Sequence, residues 1–321
     1  MRAYCTLFDQ NYLWKGVAMQ QSLMAHDPEA ELWILCMDTT TERILQKLKL
    51  ERTHLVPLTT LERADPAIRK VKSGRTPTEY CWTLTPVLPR YLLTKHRRLS
   101  MITYLDADLL FFSSPDPIFT ELGRQSILVI EHRFPPFLAY KTKHSGRFNV
   151  QLVSFRRDHN GLAALKWWRN RCIEWCFFRY EDGKLGDQLY LNDWPERFGG
   201  VHSLRHLGGG LAPWNVLNYR YRVTDTGLFV NGQPLIFYHY HGFKLLERGA
   251  LLAPHYGLPQ MVVQHVYQPY RRALAQAQAL VAAVDPTFVA GYSPPPPVKD
   301  RLLSTLSATK LKFLGAFHVN A

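Results

Sequence analysis

The stretch Met101–Phe112, MITYLDADLLFF, decides how the whole chain is read. Five mostly apolar residues lead into Asp106 and Asp108, and Leu109, Leu110, Phe111 and Phe112 then resume the apolar run. Such a run predicts one continuous strand, buried on both faces as in a parallel sheet. Side chains alternate along a strand, so Asp106 and Asp108 are expected on one face, with small Ala107 on the other. Two carboxylates placed this way repel each other, and burying them unpaired is costly. A divalent cation relieves the conflict, because Mg²⁺ and Mn²⁺ prefer oxygen ligands and bring substrate phosphates into their shell. The competing reading is an acid pair at a strand end, satisfied by backbone N–H groups or a nearby arginine.

Working outward, RAYCTLF near the N-terminus reads as a strand, NYLWKGVAMQQSLMAH as a helix and ELWILCMD as a second strand. Strand, helix and strand within about forty residues mark a parallel α/β sheet. The segment YCWTLTPVLPRYLLTKH has helical character disturbed by Pro86 and Pro89. SILVIEH and FNVQLVSFRRD read as strands, and GLAALKWWRNRCIEWCFF as a long helix with Leu165, Trp168, Cys172 and Trp175 near one face. Beyond about residue 258 the character changes. QMVVQHVYQPYRRALAQAQALVAAV is helical with a kink expected at Pro269, and Pro294–Pro297 form a stiff linker before a basic tail. The expected organisation is a catalytic unit over 1–258 and a helical extension over 259–321.

A second cluster bears on the acid pair. FYHYHGFK ends a late strand with His239 and His241 on one face, followed by Gly242 and cationic Lys244. An imidazole completes a metal shell and a lysine neutralises a diphosphate, so the two clusters describe a metal–diphosphate site. Strand geometry does not choose between His239 and His241.

The bulk composition agrees with a globular protein and narrows the alternatives. Hydrophobic residues at 46% and charged residues at 20% exclude a disordered chain. A net charge of +13 attracts anionic partners without saying which. Cys5, Cys36, Cys81, Cys172 and Cys176 are scattered and odd in number, and read as buried thiols of a reducing compartment. No signal peptide and no apolar run of membrane-spanning length is evident, so a cytoplasmic protein is expected, with the basic tail as its one candidate for peripheral membrane contact.

The motifs resemble those of the GT-A nucleotide-sugar glycosyltransferases, and within them the glycogenin-like and bacterial galactosyltransferase group known as family 8. YCTLFDQNYLWKGVAMQQSL is similar to the opening strand and first helix of that group, and YLDADLLFF to its Asp-x-Asp motif. RFNVQLVSF resembles its FNSG strand, LGDQLYLN its Asp-Gln segment and HYHG its closing His-x-x-Gly motif. The five fall in the family's order over residues 1 to about 245.

The resemblance implies a GT-A, Rossmann-like sheet flanked by helices and transfer of a sugar from a nucleotide-diphosphate donor, UDP-linked, with Mn²⁺ or Mg²⁺ as cofactor. It places Leu7, Asp9 and Gln10 at the nucleobase, and Asp106 at the ribose and the metal. Asp108 and His239, with His241 as the alternative, are the implied metal ligands. Asn149 and Gln151 face the donor sugar, Gly242 and Lys244 the diphosphate, and Asp187 and Gln188 the anomeric carbon. The expected acceptor is a glycan or a lipid-linked molecule, which the sequence does not identify.

The sequence departs from the family in three places. Val150 and Gln151 stand where the family has Ser or Thr and then Gly. Thr83 and Thr85 occupy the region of a Lys or Arg that pairs with the first Asp. Lys244 follows Gly242 by two residues instead of three. Asp187 also has a plain reading, as an N-cap of the following helix. The loop HLGGGLAPWN offers Trp214 and Asn215 as a sugar-stacking and hydrogen-bonding pair, or is a simple turn.

Two other functions are compatible with parts of the pattern. A sugar-nucleotide nucleotidyltransferase needs a glycine-rich N-terminal loop, and LFDQNYLWKG has only Gly16. A basic nucleic-acid-binding protein needs a recognition motif, which is absent here.

Overall fold

A computed structural model describes residues 1–247, 249–251, 256–294, 306 and 309–310. Among them, twelve strands matter for the site. The first eight are β1 (Ala3–Phe8), β2 (Glu31–Cys36), β3 (Thr53–Pro57), β4 (Met101–Leu105), β5 (Leu109–Phe111), β6 (Ile127–Glu131), β7 (Phe148–Arg156) and β8 (Val201–Ser203). The other four are β9 (Tyr221–Thr224), β10 (Gly227–Val230), β11 (Gln233–Pro234) and β12 (Phe237–His239). Seven of the twelve form one mixed sheet in the order β3-β2-β1-β4-β7-β6-β8, and β9 to β11 make a small antiparallel sheet.

The sheet is parallel across β3, β2, β1 and β4, whereas β7 runs antiparallel to both of its neighbours. That reversal brings the start of β7 to the same edge as the ends of β1, β4 and β6. The chain order also reverses at β1, with β2 on one side and β4 on the other. A crevice at such a switch point is where open α/β sheets bind ligands.

The apolar run of Met101–Phe112 does not form one strand. β4 stops at Leu105, Asp106–Asp108 make a turn, and β5 leaves the sheet to pair antiparallel with β12. The backbone explains the exit. The Asp106 N–H donates to the Gln151 carbonyl at 3.0 Å, the last bond to the main sheet, and Tyr240 N–H donates to the Asp108 carbonyl at 2.9 Å. The two carboxylates are therefore gathered by a turn, not by strand alternation.

Helices cover both faces, and two hydrophobic clusters fill the layers. On one face the helix Leu13–His26 packs against β1 so closely that a Cβ on Gly16 would stand 2.3 Å from the Phe8 ring. On the other face lie helices Pro77–Leu84, Val87–Lys95 and His159–Glu174. The expected helix around Pro86 and Pro89 is two helices. Pro86 caps the second, and Pro89 falls in its first turn, where a missing N–H has no intrahelical partner to lose.

The expected kink at Pro269 takes a milder form. Residues Val263–Tyr267 form a π-helical turn, and helix Gln268–Val284 continues from it. The wider turn accommodates the proline ring next to the preceding carbonyls. Tyr270, Leu274, Ala277 and Val281 of this helix are buried in the same cluster as β1 and the first helix. Of Pro294–Pro297 only Pro294 is among the described residues, and most of the basic tail lies outside them. No described helix is long and apolar enough to cross a membrane.

Candidate active site

The edge where β1, β4, β6 and the start of β7 converge carries an unusual density of buried polar groups. Asp106 and Asp108 project from the turn after β4, and β12 brings His239 against them. Its Nε2 lies 3.2 Å from Asp108 Oδ1 and 3.7 Å from Asp106 Oδ2. Among the described residues these three form the one group of His, Cys, Asp and Glu whose ligand atoms all lie within 4.8 Å of one another. Two carboxylates and an imidazole at such spacings suit neighbouring ligands of a hard or borderline divalent ion. His241 is exposed and stands outside the group.

The charges are strongly coupled. Burial raises Asp106 to about 6, with His239 pulling it down and Asp108 pushing it up. Burial pushes Asp108 up as well, but His239 and Lys15 overcome it and hold that carboxyl well below the usual range. His239 is lifted above an ordinary histidine because the two carboxylates outweigh its burial. His241, although its edge reaches solvent, falls to about 4 through the protein packed around its ring and the neighbouring His239. The first acid is thus held less readily ionised than the second, and the Tyr104 hydroxyl, donating to Asp106 Oδ1 at 3.1 Å, steadies it.

A second polar line runs along β7. Asn149 Nδ2 donates to Gln188 Oε1 at 2.7 Å and approaches His132 Nε2 at 3.3 Å, while Gln188 Nε2 donates to the Ser145 carbonyl at 2.6 Å. His132 lies flat on Phe134 with centroids 4.7 Å apart, and burial lowers it to about 3, so the ring is neutral. Gln151 is wholly buried, and neither atom of its amide has a hydrogen-bond partner. An unpaired buried amide costs free energy and calls for an explanation.

Asp187 follows Gly186, whose φ of +54° favours glycine and lets the Trp82 ring rest 3.0 Å from where a Cβ would be. It is 6% exposed, and burial together with the charge of Asp106 raises it to about 7. Its side chain caps no helix: the 3-10 turn Leu189–Leu191 begins after Gln188 and has no side-chain cap. Helix Pro77–Leu84 presents Thr85 just beyond its end toward Asp187, whereas Thr83 bonds to Glu79 O at 2.8 Å and faces away.

The remaining expected positions fall around the same edge. Leu7 is buried near the end of β1, and Asp9 accepts a bond from Asn11 N–H at 3.0 Å. Gln10 N–H donates to Asp38 at 2.7 Å. Gly242 has φ of +76° and turns the chain after β12, and Lys244 is exposed.

Asn215 is engaged within the protein, and Trp214 stands beside the imidazoles. Asn215 is wholly buried, with its Nδ2 donating to the His132 and Gly210 carbonyls at 3.0 Å each and its Oδ1 accepting from Ala212 N–H at 3.0 Å. The Trp214 ring stands edge-on to His132, His239 and His241 at 5.1, 5.3 and 5.5 Å, and so braces the imidazoles. One residue goes beyond the sequence reading of the site. Lys15, in the first turn of helix Leu13–His26, donates from Nζ to the Phe243 carbonyl at 3.1 Å and lies 4.1 Å above the Tyr12 ring. Its sequence signal was the Lys15-Gly16 pair of the stretch YCTLFDQNYLWKGVAMQQSL, in the first turn of that helix.

No protein-family model matches the chain. Two Bacillus subtilis proteins do, the uncharacterized YfnD and YfnF. YfnD is 33% identical over 302 residues, covering 92% of this chain and 96% of YfnD. YfnF is 32% identical over 293 residues, covering 89% of this chain and 96% of YfnF. The chain belongs to the YfnD/YfnF family. Solved structures extend the comparison at the level of fold. The galactosyltransferase LgtC, in complex with donor and acceptor sugar analogues, matches with a TM-score of 0.53 at 15% identity, over 85% of this chain and 95% of LgtC. The glycosyltransferase GlyE of Streptococcus pneumoniae matches with a TM-score of 0.51 at 14% identity, over 92% of this chain and 66% of GlyE. This member of the YfnD/YfnF family therefore has the GT-A fold found in those glycosyltransferases, a mixed sheet flanked by helices.

Proposed function

We propose that the protein is a metal-dependent glycosyltransferase that moves a sugar from a UDP-linked donor to a glycan or lipid-linked acceptor. The observation that carries this reading is the Asp106–Asp108–His239 group at the switch-point edge of a GT-A sheet, next to a buried Asp187. The fold likeness to LgtC supports sugar transfer as the reaction class.

In this reading Asp106, Asp108 and His239 hold Mn²⁺ or Mg²⁺. The ion supplies positive charge where the leaving diphosphate gathers negative charge. Leu7, Asp9 and Gln10 line the nucleobase end, and Asp106 also meets the ribose. Asn149 and Gln151 face the sugar, and the unsatisfied Gln151 amide has the donors and acceptors to bind a hydroxyl. Gln188, held by Asn149 and Ser145, stands beside Asp187 at the reacting carbon. As the glycosidic bond to the diphosphate breaks, positive charge grows at that carbon, and the Asp187 carboxylate stabilises it. Gly242 lets the backbone approach the diphosphate. Retention of configuration follows if the family 8 resemblance extends to mechanism.

The test is calorimetric titration of UDP into the purified protein with and without Mn²⁺, on wild type and Asp108→Asn. Metal-dependent UDP binding lost in the variant is the expected result. Absence of UDP binding under every metal, with the variant at least as stable as wild type, overturns it.

A further inference from the structure

We infer that Lys15, and not Lys244, is the side chain that receives the diphosphate of the nucleotide donor. The inference rests on the donor-site reading above and assigns a residue within it.

Lys15 sits where a lysine is poorly placed on structural grounds. It lies in the first turn of the 14-residue helix Leu13–His26, at the positive end of the helix dipole. It is half-buried, and burial lowers its pKa while Lys244 lowers it further. Only the charge of Asp108 acts the other way. A cation held against burial, a helix N-terminus and a second cation is a natural seat for an anion.

The geometry aims it at the site. The Phe243 carbonyl that accepts from Nζ is four residues past His239 and one before Lys244. The Gly242 turn therefore folds the chain from the metal-ligand group onto the ammonium. Lys15 also acts electrostatically on His239 and His241. An ammonium has three donors, and one is engaged by Phe243, which leaves donors for phosphate oxygens. Lys244, by contrast, is exposed on a two-residue strand paired with Leu251, where solvent screens its charge.

A lysine that serves only to balance Asp108 and one that binds diphosphate make different predictions. Without a nucleotide, Lys15 competes with a divalent ion for the field of Asp108, so removing it favours the ion. With UDP bound, removing it takes away a charge-assisted bond.

The experiment is calorimetric titration of Mn²⁺ alone, then of UDP and UMP into the Mn²⁺-saturated protein. It compares wild type with Lys15→Met, Lys15→Arg and Lys244→Met, with thermal melting as the fold control. Lys15→Met is expected to weaken UDP by roughly tenfold to a hundredfold and UMP by less than about threefold. It should bind Mn²⁺ alone at least as tightly as wild type. Lys15→Arg should restore most of the UDP affinity, and Lys244→Met should change it by less than about threefold.

Unchanged UDP binding in Lys15→Met, or a larger loss in Lys244→Met, overturns the assignment. Equal losses for Mn²⁺, UMP and UDP assign Lys15 to structure and overturn it too. If Lys15→Met fails to fold, Lys15→Gln, which keeps a donor for the Phe243 carbonyl, answers the same question. Wild type that binds no UDP at all removes the donor-site reading itself, a result distinct from each of these.

Discussion

Replacing Asp187 by asparagine should stabilise the metal-free protein, and by an amount that grows with pH. Asp187 is 6% exposed, and burial and Asp106 raise it from 3.8 to about 7. Its folded pKa lies above the unfolded one, so the native state binds more protons throughout that interval. Stability is full below the unfolded value, falls as pH rises through the window and levels off above about 7. At about 1.36 kcal/mol per unit, Asp187 costs the fold about 4 kcal/mol at pH 8, where it is ionised, and about 2 kcal/mol at pH 5, where it must take up a proton on folding. The difference, between about 2 and 3 kcal/mol, belongs to ionisation alone, because any intrinsic preference between the two side chains cancels. For 321 residues it amounts to a gap in melting temperature that widens by roughly 4 °C. The assay is thermal unfolding by circular dichroism of both proteins in EDTA, at half-unit steps from pH 5 to 8. A gap that stays flat across the series, or narrows as pH rises, refutes the argument. Saturating Mn²⁺ should shrink the gap, because it offsets the Asp106 charge that lifts Asp187. The same substitution removes the carboxylate that the proposed reaction needs, so the variant should gain stability while losing transfer.

Three further outcomes follow from the geometry. His239→Gln should weaken Mn²⁺ binding by on the order of tenfold or more, and His241→Gln by less than about threefold, read by calorimetry. Equal losses would place His241 in the shell. Gly16→Ala drives a methyl group to 2.3 Å from the Phe8 ring and should destabilise by about 1–3 kcal/mol in urea unfolding. A neutral result would mean that the first helix rides loosely on β1. Asn215→Ala breaks three buried bonds that tie Ala212, Gly210 and His132 together, and should cost about 2–4 kcal/mol. A variant that melts with wild type would remove Asn215 from the frame of the site.

The elements that local pattern controls were legible in the sequence. β1, the first helix and β2 have apolar spacings and ends that no distant contact needs to correct. The carboxylate pair was legible too, because acids in an apolar run violate the pattern. What brings the pair together was not. The end of β4 is set by which partner each residue finds, Gln151 for Asp106 and Tyr240 for Asp108, and those partners lie 45 and 132 residues away in the chain. For the same reason strand alternation could not separate His239 from His241, whereas the pairing of β12 with β5 does. Residue types alone left Trp214 and Asn215 open between a sugar contact and a simple turn. Their burial against His132 and the Gly210 carbonyl is a tertiary fact, invisible to composition.

The placement of the anomalies is itself an argument about function. Asp106 and Asp108 are acids inside an apolar run, and Lys15 is a half-buried cation at a helix start. Gln151 is a buried amide with no partner, and Asp187 is a buried carboxyl that caps no helix. Each breaks a local rule at a cost in stability, and evolution removes such costs where nothing offsets them. Scattered over the molecule they would be unrelated defects. Here electrostatic coupling joins Asp187 to Asp106, Asp106 to Asp108 and Asp108 to Lys15, and the Asp106 N–H bonds directly to the Gln151 carbonyl. One ligand carrying an ion, a diphosphate and a sugar would offset all of them at once, and no set of separate structural roles accounts for their sharing a single sheet edge.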